Sequence, residues 1–146
     1  MRILFFGDVV GHPGRRAVAA VLPRWQHALR PDVIIANGEN SAHGMGITPD
    51  TAADLFESGV DIITLGNHAF RKKEAAGLLD AEPRVLRPAN YPPGAPGRGY
   101  GIFPVGQATL AVVNLLGRVF LDPVDDPFRG IRELLPLLRE HTPCIL

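Results

Sequence analysis

Three short stretches hold the side chains of this 146-residue sequence that are equipped for chemistry: Gly7-Asp8, Gly38-Glu39-Asn40 and Gly66-Asn67-His68. Two carboxylates, two amides and an imidazole make a hard-to-borderline oxygen and nitrogen donor set. Such a set suits divalent manganese or iron better than a thiolate-bound metal. Asp8, Glu39 and Asn67 recur about every thirty positions, the length of one βαβ unit. In an open parallel sheet the loops after successive strands emerge together at the carboxyl edge, where α/β proteins place their ligands. Asp8, Glu39, Asn40, Asn67 and His68 are therefore expected to converge on one metal-binding patch.

Taken singly, these signals differ in weight. A Gly-Asp pair after a strand is as often a turn as a ligand. A glutamate at the end of a buried strand is costly unless paired or coordinated, so Glu39 says more. A lone histidine near a strand end is usually structural, and it is the threefold recurrence that makes Asn67-His68 the sharpest of the three. His43 sits in a glycine-rich loop near the same edge, where it would line a substrate entrance. Arg87 and Arg118 each follow an apolar run and are candidates for phosphate oxygens or for a surface contact. His12 reads as a surface residue close to the edge. His27 and His141 fall late in helices, where a cation favours the dipole. Competing signatures are absent: no Gly-Lys-Ser/Thr follows Gly7–Gly14, no Gly-x-Gly-x-x-Gly follows a strand, and Ser41 lacks the glycines of a nucleophile elbow.

The elements that must position these residues can be read in order. Met1–Phe6 reads as a buried parallel strand, and Val33–Ala36 and Asp61–Leu65 as the next two. A helix opening at Pro13-Gly14 carries Ala17, Val18, Val21, Leu22 and Trp25 at helical spacing, with a kink or break expected at Pro23. Thr48-Pro49 reads as an N-cap followed by proline at the first helical position, and Gly59 as the stop near Ser58. Lys72–Leu79 is a further short helix. Val85-Leu86 makes a short strand, and Tyr100–Val105 with Thr109–Asn114 a β-hairpin around Gly106-Gln107. Gly130–His141 is expected to be helical despite Pro136, burying Ile131, Leu134, Leu135 and Leu138. The sheet thus gains antiparallel strands, and the class is mixed α/β in a single domain spanning residues 1–146.

Bulk composition narrows the rest. Hydrophobic residues make up 46% and charged ones 21%, and fifteen basic side chains balance fifteen acidic ones. That balance supplies no field that would argue for a nucleic-acid or membrane surface. Cys144 is the only cysteine, so no internal disulfide forms and a reducing, cytoplasmic setting is expected. Thr142-Pro143-Cys144-Ile145-Leu146 repeats the helix-proline-strand grammar of Arg30–Ile35. Ending inside such a strand leads to the expectation that the sequence is truncated at its C-terminal end.

The order Gly-Asp, Gly-Glu-Asn, Gly-Asn-His resembles the calcineurin-like metallophosphoesterases. Val10 in place of their first histidine, and Glu39-Asn40 in place of their second aspartate motif, make the resemblance one to the YmdB-like bacterial branch. It runs on through Leu86–Pro92 and Asn114–Phe120 and covers essentially the whole chain. The resemblance implies a metallophosphoesterase-type four-layer α/β/β/α sandwich holding two divalent ions, iron or manganese. By that likeness Asp8 holds one ion, Glu39 bridges both, Asn40 and Asn67 hold the second, and His68 is the general acid. A water activated between the ions would attack the phosphorus of a phosphodiester, 2′,3′-cyclic nucleotides being the usual candidates. The resemblance further implies homo-oligomers and a link to an RNA-processing partner, and a non-catalytic interaction module on the same fold is the rival reading. Two departures stand out. Ala69-Phe70-Arg71 replaces the branch's Thr-Trp-Asp, reversing a charge near the mouth. The branch's three remaining histidine ligands would lie beyond Leu146.

Overall fold

The structure is a computed structural model that describes residues 1–146. Four strands, β1 (Ile3–Phe6), β2 (Val33–Asn37), β3 (Ile62–Thr64) and β4 (Val85–Leu86), form a parallel sheet in the order β1-β2-β3-β4. Each strand lies beside its neighbour in the sequence, with Ile3 paired to Val33, Ile35 to Ile62 and Ile63 to Val85. The helices that cross between them are α1 (Gly11–Leu29), α2 (Pro49–Glu57) and α3 (Ala75–Ala81). They send Val18, Leu22, Leu55 and Leu79 into one core with Ile34, Ala36 and Ile63. A progressive strand order with crossovers of one hand places all three helices on one face.

The other face is free for a second sheet. Side chains alternate along a strand, so Val33 and Ile35 point away from the helices and pack with Ile62 and Leu86 against Val105, Leu110 and Val112. Those last three belong to the antiparallel hairpin β5 (Tyr100–Val105) and β6 (Ala108–Val113). The final helix, α4 (Pro127–His141), packs on β6 and buries Leu138 completely. The result is four layers, α/β/β/α, with one parallel and one antiparallel sheet.

Helix ends follow local chemistry. At α2 the Thr48 hydroxyl accepts from the Thr51 N–H while Thr51 Oγ1 accepts from the Thr48 N–H, at 3.3 and 2.9 Å. Proline follows at the first helical position, and Gly59 takes φ +102° just past the end. Asp126 caps α4 by accepting from the Phe128 and Arg129 N–H groups, so that helix begins at Pro127, before the expected Gly130. The third helix lies later than its expected Lys72–Leu79, because 71–74 is a turn closed by the Ala75 N–H on the Lys72 carbonyl.

Three readings are corrected. Pro23 does not break α1, which is continuous from Gly11 to Leu29. Ala19 and Pro23 are both exposed, so the carbonyl left without its amide partner is reached by water. Strand β1 is an edge strand and not a buried one: it pairs only with β2, and Phe5 is 50% exposed. The terminal segment pairs in parallel with β6, Ile145 opposite Ala111. Of the expected α4 stripe only Leu138 is fully buried; Ile131, Leu134 and Leu135 are half-buried.

Candidate functional site

At the carboxyl edge of the parallel sheet the loops are hydrogen-bonded one to the next. After β1 the Val9 N–H donates to the Asn37 carbonyl at 2.9 Å and the Gly11 N–H to the Asn40 carbonyl at 2.8 Å. After β2 the Gly38 N–H reaches the Thr64 carbonyl, and after β3 the Leu65 N–H reaches the Leu86 carbonyl, both at 2.9 Å. Asp8 itself turns through φ +41°, a left-handed conformation that Asp tolerates better than most residues. Gly66 is required where it stands. A Cβ there would overlap both carboxylate oxygens of Glu39, so the bare backbone of Gly66 lets that carboxylate lie against the third loop.

The side chains then join into a chain of their own. Asn40 donates through Nδ2 to Asp8 Oδ1 at 2.7 Å, and its Oδ1 lies 2.5 Å from His68 Nδ1. Because that oxygen only accepts, His68 Nδ1 carries the proton and Nε2 is left for another partner. Glu39 Oε2 accepts from the His68 backbone N–H at 3.1 Å and lies 4.0 Å from its Nδ1. Asn67, half-buried, follows β3 at the same edge. Every residue expected at the metal patch is thus brought to one edge.

The electrostatics suit a cation. Neither Asp8 nor Glu39 pairs with a lysine or arginine, and the Glu39 side chain is only 17% exposed. A half-buried carboxylate without a countercharge is costly, and a divalent ion bound by its oxygens removes that cost. No three Asp, Glu, His or Cys side chains gather at metal-holding distance anywhere in the chain. The donors here are oxygens: the two carboxylates and the amide oxygens of Asn40 and Asn67, the former with a lone pair left beside its imidazole. That chemistry fits a hard divalent ion.

The outlying candidates are placed differently. His43 is exposed at φ +58° in the loop whose Gly44 N–H returns to the Asn40 carbonyl. His12 lies in the first turn of α1, beside a groove shared with α2. Arg87 spends its donors inward, on the carbonyls of Pro96, Pro88 and Ala95 at 3.0, 2.8 and 3.2 Å, and burial holds its pKa below the ordinary arginine value. It stiffens the proline-rich loop. Arg118 is exposed and 3.7 Å from Asp126. Arg71, the reversed charge, reaches Asp122 at 3.4 Å and ties the His68 turn to the loop that follows β6.

Three asparagines escaped the reading by motif. Asn90, 3% exposed, donates to the Leu116 and Asp125 carbonyls and accepts from the Leu116 N–H. Asn114 donates to the carbonyls of Leu65 and Leu86 at 2.5 and 3.0 Å, stitching the second sheet to the strand ends beneath the site. Asn37 keeps a buried Oδ1 with no partner. Only the apolar runs around them hinted that these amides would be enclosed.

Known proteins resemble this chain in sequence and fold. A 2′,3′-cyclic-nucleotide 2′-phosphodiesterase of Bacillus subtilis (strain 168) is 47% identical over 145 residues, covering 99% of this chain and 55% of that protein. The crystal structure of a hypothetical protein from Thermus thermophilus superposes with a TM-score of 0.88 at 49% identity, over 93% of this chain and 53% of its own. That of a novel phosphatase from Mycoplasma pneumoniae does so with a TM-score of 0.87 at 31% identity, over 94% and 51%. The chain spans about half the length of the curated relatives it matches. With the family described as YmdB-like protein matching residues 4–146, through all three site loops, the chain belongs to the YmdB-like family.

Proposed function

We propose that this chain works as a metal-dependent phosphodiesterase, acting on 2′,3′-cyclic nucleotides through two divalent ions, iron or manganese. The observation that carries the reading is the hydrogen-bonded run Asp8–Asn40–His68 with the uncompensated Glu39 beside it. The activity for which the Bacillus relative is named and the shared family support it. Asp8, Glu39, Asn40 and Asn67 are the residues that would hold the ions. Bound there, divalent ions supply charge neutralisation at the phosphoryl oxygens and acidify water.

The chain's own contribution is orientation and a proton. Asn40 holds the His68 ring by Nδ1–H, so a proton carried on Nε2 faces outward for delivery to a departing alkoxide oxygen. Glu39 holds the His68 backbone in register by accepting from its N–H. Exposed Arg118 and His43 are the residues assigned to substrate contact in this reading, while Arg87 acts through the loop it holds.

The test is hydrolysis of 2′,3′-cyclic AMP by the full-length protein with manganese, with bound metal measured in parallel. Glu39→Gln is expected to lose both metal and turnover. His68→Ala is expected to keep its metal and lose about 10²- to 10⁴-fold in rate, the range of a positioned general acid. Turnover indifferent to Glu39→Gln, or no hydrolysis by the full-length protein, overturns the reading.

A further inference from the structure

Next to the metal-binding edge lies a cleft of about 670 Å³ walled by the Arg87–Gly99 segment on one side and the start of α4 on the other. Its volume is that of a small-molecule site. One contact joins it to the chemistry: Tyr91, in its wall, meets Phe70 edge-on, ring centres 5.3 Å apart at 76°, and Phe70 follows His68 by two residues. The Tyr91 phenol registers the same neighbourhood. Its pKa is pushed up, first by burial and then by the negative charges of Asp122 and Glu39.

The charges in the cleft decide what it can hold. Arg87, Arg118 and Arg129 face Asp125, Asp126 and Glu133, three against three. Each arginine is already engaged: Arg87 on backbone carbonyls, Arg118 with Asp126, and Arg129 with Glu133 at 2.8 Å. A second phosphate would find no net attraction. What the walls offer is the aromatic surface of Tyr91 and Tyr100 together with many polar edges, which suits a neutral, planar, hydrogen-bonding group.

We propose that this cleft receives the nucleobase of the phosphoester handled at the Glu39–His68 edge, with Tyr91 as its specificity-determining residue. The inference rests on the phosphodiesterase reading for the place of the phosphorus, but base binding itself needs no metal. Adenosine is therefore the probe, titrated into the intact chain in EDTA and followed by calorimetry, with ribose as the control. The expected result is that adenosine binds and ribose does not, and that Tyr91→Leu weakens adenosine at least about fivefold, the lower end of base–aromatic stacking.

Gly130→Phe gives a second variant, should the first fail to fold. Gly130 lines the cleft from α4, and a Cβ there meets nothing nearer than 3.9 Å. It is expected to block adenosine while leaving manganese affinity, measured by titration, unchanged. Adenosine affinity unaltered in both variants, or no binding by the unaltered chain, overturns the inference. Manganese titration reports separately on the metal centre, so failure of one reading is not mistaken for failure of the other.

Discussion

Glu39 lies against the third loop because residue 66 has no side chain there, and a single methyl tests that dependence. Gly66→Ala would drive the carboxylate away from the His68 amide. Manganese affinity is expected to fall about 10- to 100-fold, the usual cost of disturbing a ligand's support, while circular dichroism stays native; undiminished affinity by titration would refute the placement. Tyr91 gives a second prediction. Its folded-state pKa lies above the ordinary 10.0, so the folded chain holds the phenol proton more tightly than the unfolded one. The stability this contributes is complete below pH 10 and is lost as pH rises through the folded value. Denaturant midpoints between pH 9 and 12 are expected to fall less steeply in Tyr91→Phe than in the unaltered chain. At this scale the sequence disclosed Asp8, Glu39, Asn40, Asn67 and His68, because each follows an apolar strand at a steady interval. It was silent about Asn90, Asn114 and the inward turn of Arg87. The asparagines' partners are 26 to 49 residues away, and Arg87 bonds to carbonyls, which every residue has.

Elements were legible wherever a terminus carries its own chemistry. Thr48-Pro49 and Gly59 mark α2 because the cap, the proline and the left-handed glycine are local devices. The α4 start was displaced because the capping residue, Asp126, lies among other acidic residues that draw attention to none in particular. Burial of a strand was the least legible property, since an apolar run reads alike at the centre and the edge of a sheet. β1 and β2 make the contrast measurable. Ile35 is fully buried between the sheets, whereas Phe5 is half exposed. Ile35→Ala is expected to lower the unfolding free energy by about 2–5 kcal/mol, and Phe5→Ser by about 1 kcal/mol or less. Equal losses in chemical denaturation would mean that β1 is covered.

For the molecule as a whole, the four layers give the site a rigid floor. The parallel sheet supplies the loops, the hairpin supports their strand ends through Asn114, and no helix is long and apolar enough to cross a membrane. Strand order carries one further consequence, for how the protein comes into being. Pairing Ile3 with Val33, Ile35 with Ile62 and Ile63 with Val85 means that each strand of the first sheet closes only on the one just before it. Modest loop closures and local contacts favour fast folding, and such a sheet can lengthen one strand at a time as the chain leaves the ribosome. The edge that gathers these side chains would then ripen by instalments during synthesis: Asp8 stands alone until Asn40 arrives, and Glu39 waits for the amide of His68.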